Sequence, residues 1–149
     1  GDVLQGVRYH SGGKASTVYD AIGAAQVAKA SFAGMRLLHH LSGRVPVWPF
    51  DPLPGDGAVM VEIYTAIAAI AGGRTPGRSK MKNLVELNRA LVEIGSPPVP
   101  GSGPIDDHSA DALLTAAWLR AAAGREELWH PRAMTAHIAA TEGWTFGAR

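Results

Sequence analysis

The sequence predicts an α/β fold in which helices flank a mixed sheet. Three observations predict it. A continuous apolar, β-branched run at residues 58–64 is typical of a strand covered on both faces. Apolar residues recur at three- and four-residue spacing over residues 26–41 and again after residue 107, as on the buried face of a helix. Strand-like and helix-like segments alternate along the chain, and this order is typical of α/β domains.

The first part of the chain is predicted to form an irregular arm, a strand and a helix. Residues 1–15 are polar and contain glycines without a period, so they form the arm, and residues 16–149 form a single domain. Residues 16–22 mix β-branched and aromatic side chains, which favours a short strand. The helical period of residues 26–41 is followed by Gly43, and glycine tolerates the left-handed turn that ends a helix.

Two strands are predicted in the middle of the chain. Residues 45–50, VPVWPF, contain two prolines, which cannot donate to a ladder, so this segment can only be an edge strand. Residues 58–64, AVMVEIY, form the central strand, in which Glu62 is the single charged residue. Because a buried charge is costly without a partner, Glu62 is predicted either to lie at a functional site or to pair with a cation of the next loop. The candidate cations are Arg74, Arg78 and Lys80.

Helices dominate the second half of the prediction. Residues 71–82 form a glycine-rich, basic loop, and a helix follows over residues 84–94. Residues 96–104, SPPVPGSGP, form a rigid linker. The clearest helical pattern is DDHSADALLTAAWLRAAAG, at residues 106–124. A last helix is predicted over residues 131–141, with a proline at its first position.

Composition limits the classes of function. Lys and Arg number 14 and Asp and Glu 13, so the net charge of +1 creates no overall field that would recruit nucleic acid or an anionic membrane. The absence of cysteine excludes disulfides and thiolate metal sites. No apolar stretch approaches the roughly 20 residues that span a bilayer, and no leader pattern opens the sequence. We therefore expect a cytoplasmic protein without membrane contact, whose natural chain could extend upstream of Gly1.

The motif DDHSAD at residues 106–111 is the first candidate site. Residues three apart on a helix share a face, so His108 and Asp111 are predicted to project together, and Asp107 is predicted to cap the helix. A charged pair at the start of an apolar helix needs a compensating partner, and a divalent cation is one such partner. The alternative is that the aspartates only favour the positive end of the helix dipole.

Glu62 and these aspartates together predict a metal site. Hard cations such as Mg²⁺ or Mn²⁺ prefer carboxylate oxygens, and paired ions of this kind activate water in phosphodiester hydrolysis. The predicted catalytic residues are Glu62, His108 and Asp111, and the predicted metal ligands are Glu62, Asp107 and Asp111.

The basic loop could bring nucleic acid to that site. Each of its cations could contact a phosphate, and the alternative is an ordinary solvated face. The predicted contacts are Arg74, Arg78, Lys80 and Lys82. The four tryptophans are predicted to fill the core rather than to stack on bases.

A resemblance adds to these patterns. The stretch DHSADALLTAAWL resembles the last catalytic motif of RuvC-type resolvases and other ribonuclease H-like nucleases, in which a His or Asp and an Asp three residues later begin a helix. Together with VYDAIGAAQVAKASFAGMRLLHHL, VWPFD, VEIYTA and EGWTFG, it resembles an uncharacterised family of predicted nucleases over roughly residues 16–147. The resemblance implies a ribonuclease H-like α/β fold. It also implies that Glu62 is the acidic residue of the central strand and that Asp111, with His108 or Asp107, forms the acidic end of the last helix.

One ligand of that family is missing from the pattern. Ribonuclease H-like enzymes take their first metal-binding Asp from the opening strand, in an apolar-Asp-Gly setting, whereas Asp2 is followed by VLQG and Asp20 by AIG. The first strands could therefore lie upstream, or the catalytic set could be incomplete. Two hypotheses follow: a metal-dependent nuclease that hydrolyses phosphodiester bonds with Mg²⁺ or Mn²⁺, or a catalytically inactive interaction or structural module, which could form a homodimer.

Overall fold

The computed structural model describes residues 27–75 and 80–148, and it is helical. The arm at residues 1–15, the strand predicted at residues 16–22 and the side chain of Arg78 lie outside the described residues. Within them the helices are α1 (Val27–Leu41), α2 (Thr65–Ala71), α3 (Leu84–Glu93), α4 (Asp107–Ala122), α5 (Glu126–Trp129) and α6 (Ala136–Thr141). No helix in this part of the chain is long and apolar enough to cross a membrane.

The predicted α/β fold is wrong for the part of the chain that the structure describes. No sheet forms there, and the ribonuclease H-like arrangement of a mixed sheet flanked by helices is therefore not found. Three isolated β-bridges replace the sheet. Two of them are parallel and join Val47 to Met60 and Ile63 to Phe146, and the third is antiparallel and joins Asn83 to Pro104.

The strands predicted at residues 45–50 and 58–64 do not form: the two segments pair at a single bridge, and residues 48–50 turn away from it. Met60 N donates to Pro46 O at 2.8 Å, and Trp48 N donates to Met60 O at 2.9 Å. Pro46 has no N–H to extend this ladder in one direction, and Glu62 O, the next acceptor in the other direction, accepts from Phe146 N, so one bridge does not grow into a strand pair.

Residues 58–64 pair with their other neighbour at a single point too. Phe146 N donates to Glu62 O at 2.8 Å. Gly143 and Gly147 flank this contact at φ 75° and 89°, conformations that turn the chain away from an extended path. The central segment therefore touches a neighbour on each side without joining a sheet.

The predicted helices with clear end signals are confirmed. Asn83 caps α3 by accepting a hydrogen bond from Glu86 N at 2.9 Å. Asp106 caps α4, since its carboxylate accepts from Ser109 N at 2.9 Å and from Ser109 Oγ at 2.7 Å. The prediction that Asp107 is the cap is wrong, and its carboxylate is thereby left to contact other groups.

Three helical features were not predicted correctly. The apolar run TAIAAIA forms α2, although short apolar runs do not distinguish helix from strand by their period. The four-residue α5 was not predicted. The last helix begins after Thr135, whose hydroxyl accepts from Ile138 N, and not at Pro131.

The core lies between α2, α3 and α4 and the bridged segments. Phe146 is fully buried at its centre, with its ring centroid 5.8 Å from those of Trp48 and Trp118 and 4.5 Å from that of Trp129. Trp48, Trp118 and Trp144 are buried and Trp129 is half-buried, so the prediction that the tryptophans fill the core is confirmed.

Thr115 places a polar group in this core. Its side chain is buried, and Oγ1 has no hydrogen-bond partner among the described residues. We expect Thr115→Val to raise the free energy of unfolding by about 1 kcal/mol, because an isosteric methyl removes an unsatisfied buried hydroxyl. Urea denaturation measures the change. Thr115→Ala is the comparison, since it also removes the hydroxyl but leaves a cavity and should destabilise. Equal destabilisation by both variants would show that the hydroxyl has a partner.

Candidate functional site

Two carboxylates lie one turn apart on the same face of α4, at its N-terminal end. Asp107 accepts a hydrogen bond from the ammonium of Lys80, and the same two groups form an ion pair. Asp111 Oδ2 accepts from Thr65 Oγ1 at 3.3 Å. We call these four residues, Thr65, Lys80, Asp107 and Asp111, the acidic corner. Its members come from three separate parts of the chain.

Packing of α2 against α4 brings Thr65 to the corner. Thr65 is the first residue of α2, and the buried Ala68 and Ala69 follow it on the same short helix. Asp111 lies in the second turn of α4, next to the buried Ala110. The small alanines allow the two helices to approach, so the first turn of α2 meets the second turn of α4.

A second set of contacts brings Lys80 to Asp107. Met81, the next residue, is fully buried and anchors the chain at this point. Ile105 N donates to Lys82 O at 3.1 Å, and Leu84 N donates to Gly103 O at 3.0 Å. The segment that carries Lys80 therefore runs beside the segment that enters α4, and their side chains meet at the first turn of that helix.

The ammonium of Lys80 pairs with the carboxylate of Asp107. Its pKa is raised, first by the hydrogen bond to Asp107, then by the negative charge of Asp107, and in addition by that of Asp111. The pKa of Asp106 is lowered, mainly because the Ser109 hydroxyl and then the Ser109 N–H donate to its carboxylate. Lys80 is therefore cationic and Asp106 anionic at neutral pH, and the positive end of the α4 dipole favours the anions.

The corner is open to solvent. The Lys80 side chain is 72% exposed and that of Asp107 is 37% exposed. An ion pair in this setting contributes little to stability, because water screens it and two side chains must be ordered to form it. The Lys80 ammonium can therefore leave the carboxylates at small cost in free energy.

The predicted catalytic set is not gathered into one cluster. Within residues 27–75 and 80–148, no group of three or more His, Asp or Glu side chains could hold a metal ion. Glu62 and His108 are both exposed. Of the cations predicted as an alternative partner for Glu62, Arg74 contacts Glu86, Lys80 contacts Asp107, and Arg78 lies outside the described residues.

Sequence reasoning found the two aspartates and missed Thr65. The spacing of the acidic residues in DDHSAD is a local signal, and their shared helix face follows from it. Thr65 is separated from Asp111 by 46 positions, and no local pattern links them. The only sequence signal for Thr65 is its place at the start of the apolar run TAIAAIA, immediately after the extended segment that carries Glu62.

The acidic corner offers oxygen ligands of the type that a hard divalent cation takes. Two carboxylates supply oxygens of the kind that Mg²⁺ and Mn²⁺ prefer, and Mg²⁺ is commonly held by one or two carboxylates with water and substrate phosphates. Asp107 already attracts one cation, the Lys80 ammonium. A metal ion at the corner would take its remaining ligands from water or from a phosphate.

The predicted nucleic-acid contacts separate into two kinds. Arg74 Nη2 donates to Lys80 O at 3.0 Å and lies 3.9 Å from Glu86 Oε2, so this guanidinium holds the loop in place. Lys80 and Lys82 are exposed at the surface beside the acidic corner. The two lysines are therefore more accessible to a phosphate than the arginine is.

Comparison of the chain with models of known protein families, with curated protein sequences and with solved structures finds no match. The resemblance to predicted nucleases therefore stays a prediction, and a function has to be argued from the acidic corner itself.

Proposed function

We propose that the protein binds a divalent cation, Mg²⁺ or Mn²⁺, between Asp107 and Asp111 and hydrolyses phosphodiester bonds of nucleic acid. The observation that carries the proposal is the ion pair of the Lys80 ammonium with Asp107, one turn before Asp111 on α4. Two carboxylates on one helix are ligands of the kind that Mg²⁺ takes together with water and substrate phosphates.

Three residues of the corner, and His108 beside it, have a role in this proposal. A bound ion would supply positive charge to the phosphate oxygens and would lower the pKa of water. Asp107 and Asp111 would hold it, and Thr65 would orient Asp111 through the hydrogen bond that it already donates. His108 is exposed beside Asp107 and would carry a proton to the leaving oxygen.

Two further predicted residues complete the proposal. Lys82 would contact a neighbouring phosphate. Glu62 lies three residues before Thr65 and is exposed, and it stays the predicted third carboxylate.

Asp111→Asn tests the proposed function. We expect Mn²⁺ binding, measured by electron paramagnetic resonance of free Mn²⁺, to weaken by at least roughly tenfold, because one of two anionic ligands is lost. Hydrolysis of a labelled oligonucleotide should fall by about 100-fold. Single- and double-stranded DNA and RNA are tested as substrates, since the corner does not select among them.

Asp56→Asn is the matched control. Asp56 is an exposed carboxylate whose Oδ1 accepts from Gly57 N, a contact that asparagine also makes. Asp56→Asn removes one negative charge, as Asp111→Asn does, but at a position outside the acidic corner. Equal Mn²⁺ binding and equal hydrolysis by Asp111→Asn and Asp56→Asn would contradict the proposal.

The second candidate is a catalytically inactive interaction module, acting as a homodimer. It is favoured by the protein groups that already contact both carboxylates: the Lys80 ammonium pairs with Asp107, and the Thr65 hydroxyl donates to Asp111. It is also favoured by α1, where Phe32, Met35 and Leu37 are more than half exposed and line an open cleft of about 530 Å³. The same Mn²⁺ titration separates the two, together with the mass of the protein by analytical ultracentrifugation. A dimer that binds no Mn²⁺ would support the second candidate.

A further inference from the structure

The segment SPPVP, residues 96–100, lies at the surface between α3 and α4. Each of its residues is a proline or directly precedes one, so either the proline ring fixes φ or the following ring disfavours the α region. Gly95 and Gly101 adopt φ angles of 74° and 101° and turn the chain at the two ends. The sequence therefore favours a short polyproline II helix between two glycine turns.

Exposure along this segment repeats with the period of such a helix, which has three residues per turn. Ser96 and Val99, three residues apart, are half-buried, and Val99 packs against the core. The prolines between and after them, Pro97, Pro98 and Pro100, are exposed. One side of the segment therefore faces the protein, and the side that faces solvent carries the P-x-x-P spacing that aromatic-lined grooves bind.

Asn88 holds the segment against α3. Its Oδ1 accepts from Val99 N at 2.8 Å, and its Nδ2 donates to Val99 O at 3.0 Å, so one amide satisfies both backbone groups of Val99. At the other end, the exposed Arg120 donates from Nη2 to Ser96 Oγ at 3.3 Å. Side chains from two helices thus order the segment before any partner binds, which lowers the entropy lost on binding.

The solvent side of the segment offers acceptors and apolar surface to a partner. In the part of the chain that the structure describes, no N–H or O–H donates to the carbonyl oxygens of the exposed prolines. Val85 and Val92, on the face of α3 that carries Asn88, are 65% and 61% exposed. Tryptophan and tyrosine fit both features, since each combines an apolar ring with one hydrogen-bond donor.

We propose that residues 96–100 are a preformed docking segment for a partner protein whose groove is lined by tryptophan and tyrosine and carries an acidic side chain at the end near Arg120. The aromatic rings pack on Pro97 and Pro100, and their N–H and O–H groups donate to the proline carbonyls. Arg120 lies in the last turn of α4 and Asp107 in its first, so this surface is separate from the acidic corner and independent of the proposed function.

The first experiment measures binding of the full chain to immobilised proline-binding domains, one of the SH3 class and one of the WW class, by surface plasmon resonance. We expect one of them to bind, and Pro100→Ala to weaken that binding by at least about tenfold, because a proline at the centre of the contact is lost. Pro52→Ala is the matched control, since it removes an exposed proline outside the segment, and it should change the affinity by less than about twofold.

The second experiment measures the effect of the Asn88 contacts on the same binding. Asn88→Ala removes both hydrogen bonds to Val99 and leaves every proline in place. We expect the affinity to fall by roughly fivefold, because the segment must then be ordered when the partner binds. Asn88→Asp keeps the acceptor for Val99 N and loses the donor to Val99 O, so it should have an intermediate affinity. Circular dichroism checks that each variant is folded.

Each result decides one part of the proposal. Binding to neither domain, or equal affinities of Pro100→Ala and Pro52→Ala, would overturn the docking segment itself. Binding that depends on Pro100 but is as tight in both Asn88 variants as in the parent chain would overturn its preformed state. Loss of binding in Asp111→Asn as well would contradict the separation of this surface from the acidic corner.

Discussion

Phe146→Ala is expected to lower the free energy of unfolding by about 4 kcal/mol, because it removes a fully buried aromatic ring and leaves a cavity. The ring contacts three tryptophans, two of them edge to face, so the substitution also removes aromatic contacts beyond the area that is buried. Tryptophan fluorescence followed through urea denaturation measures the change, and the slope of the transition shows whether unfolding remains two-state.

Phe50→Ala is the matched control, because it makes the same change of side chain at a position that is 53% exposed. We expect it to lower the free energy of unfolding by less than about 1 kcal/mol. Comparable losses from the two substitutions would show that the aromatic cluster is not the centre of the core. The expected difference comes from burial alone, since the residue removed is the same.

Phe146 also connects the buried cluster to the acidic corner. Phe146 N donates to Glu62 O, and this bond holds the extended segment that leads into α2. Thr65, the first residue of α2, in turn reaches Asp111. The buried cluster and the candidate site are therefore joined through one short stretch of chain, residues 62–65.

The parts of the fold that were predicted from sequence are those with local signals. The helix α4 has an Asp cap, a helical period and Gly124 just beyond its end, and α3 has an Asn cap and Gly95. Each signal lies within a few residues of the helix end that it specifies. Helices hydrogen-bond within themselves, so local signals are enough to define them.

The sheet was not predictable in the same way, because strands need partners from elsewhere in the chain. The run AVMVEIY has the composition of a buried strand, but the segment beside it carries Pro46 and Pro49 and pairs at one bridge only. The pattern contained no information about how many hydrogen bonds the neighbouring segments could make.

The candidate site, like the fold, was predicted only where the signal is local. The sequence predicted a shared helix face for His108 and Asp111 and a capping role for Asp107, whereas in the structure Asp106 is the cap and Asp107 lies one turn before Asp111. Their partners Lys80 and Thr65 lie 27 and 46 positions away from the aspartates that they contact. Tertiary packing brings them together, and no spacing rule could have shown that Lys80 would hold Asp107.

Gly147→Ala is expected to lower the free energy of unfolding by about 3 kcal/mol. A Cβ atom at this position would lie 2.5 Å from Trp118 Cη2 and 2.9 Å from Cζ2, closer than real Cβ contacts. The φ angle of 89° adds strain for any residue with a Cβ. Overpacking and backbone strain act together here, and each costs of the order of 1–3 kcal/mol.

Gly124→Ala separates these effects from the general effect of adding a methyl group. No described heavy atom lies within 4 Å of a Cβ at Gly124, and its φ is outside the left-handed region. We expect the free energy of unfolding of this variant to be within about 0.5 kcal/mol of that of the parent protein by urea denaturation.

Gly147→Ala made together with Trp118→Leu should lower the free energy of unfolding by less than the sum of the two single changes, because the smaller side chain vacates the space that the methyl group needs. Additive losses would place the cost of Gly147→Ala in the backbone alone.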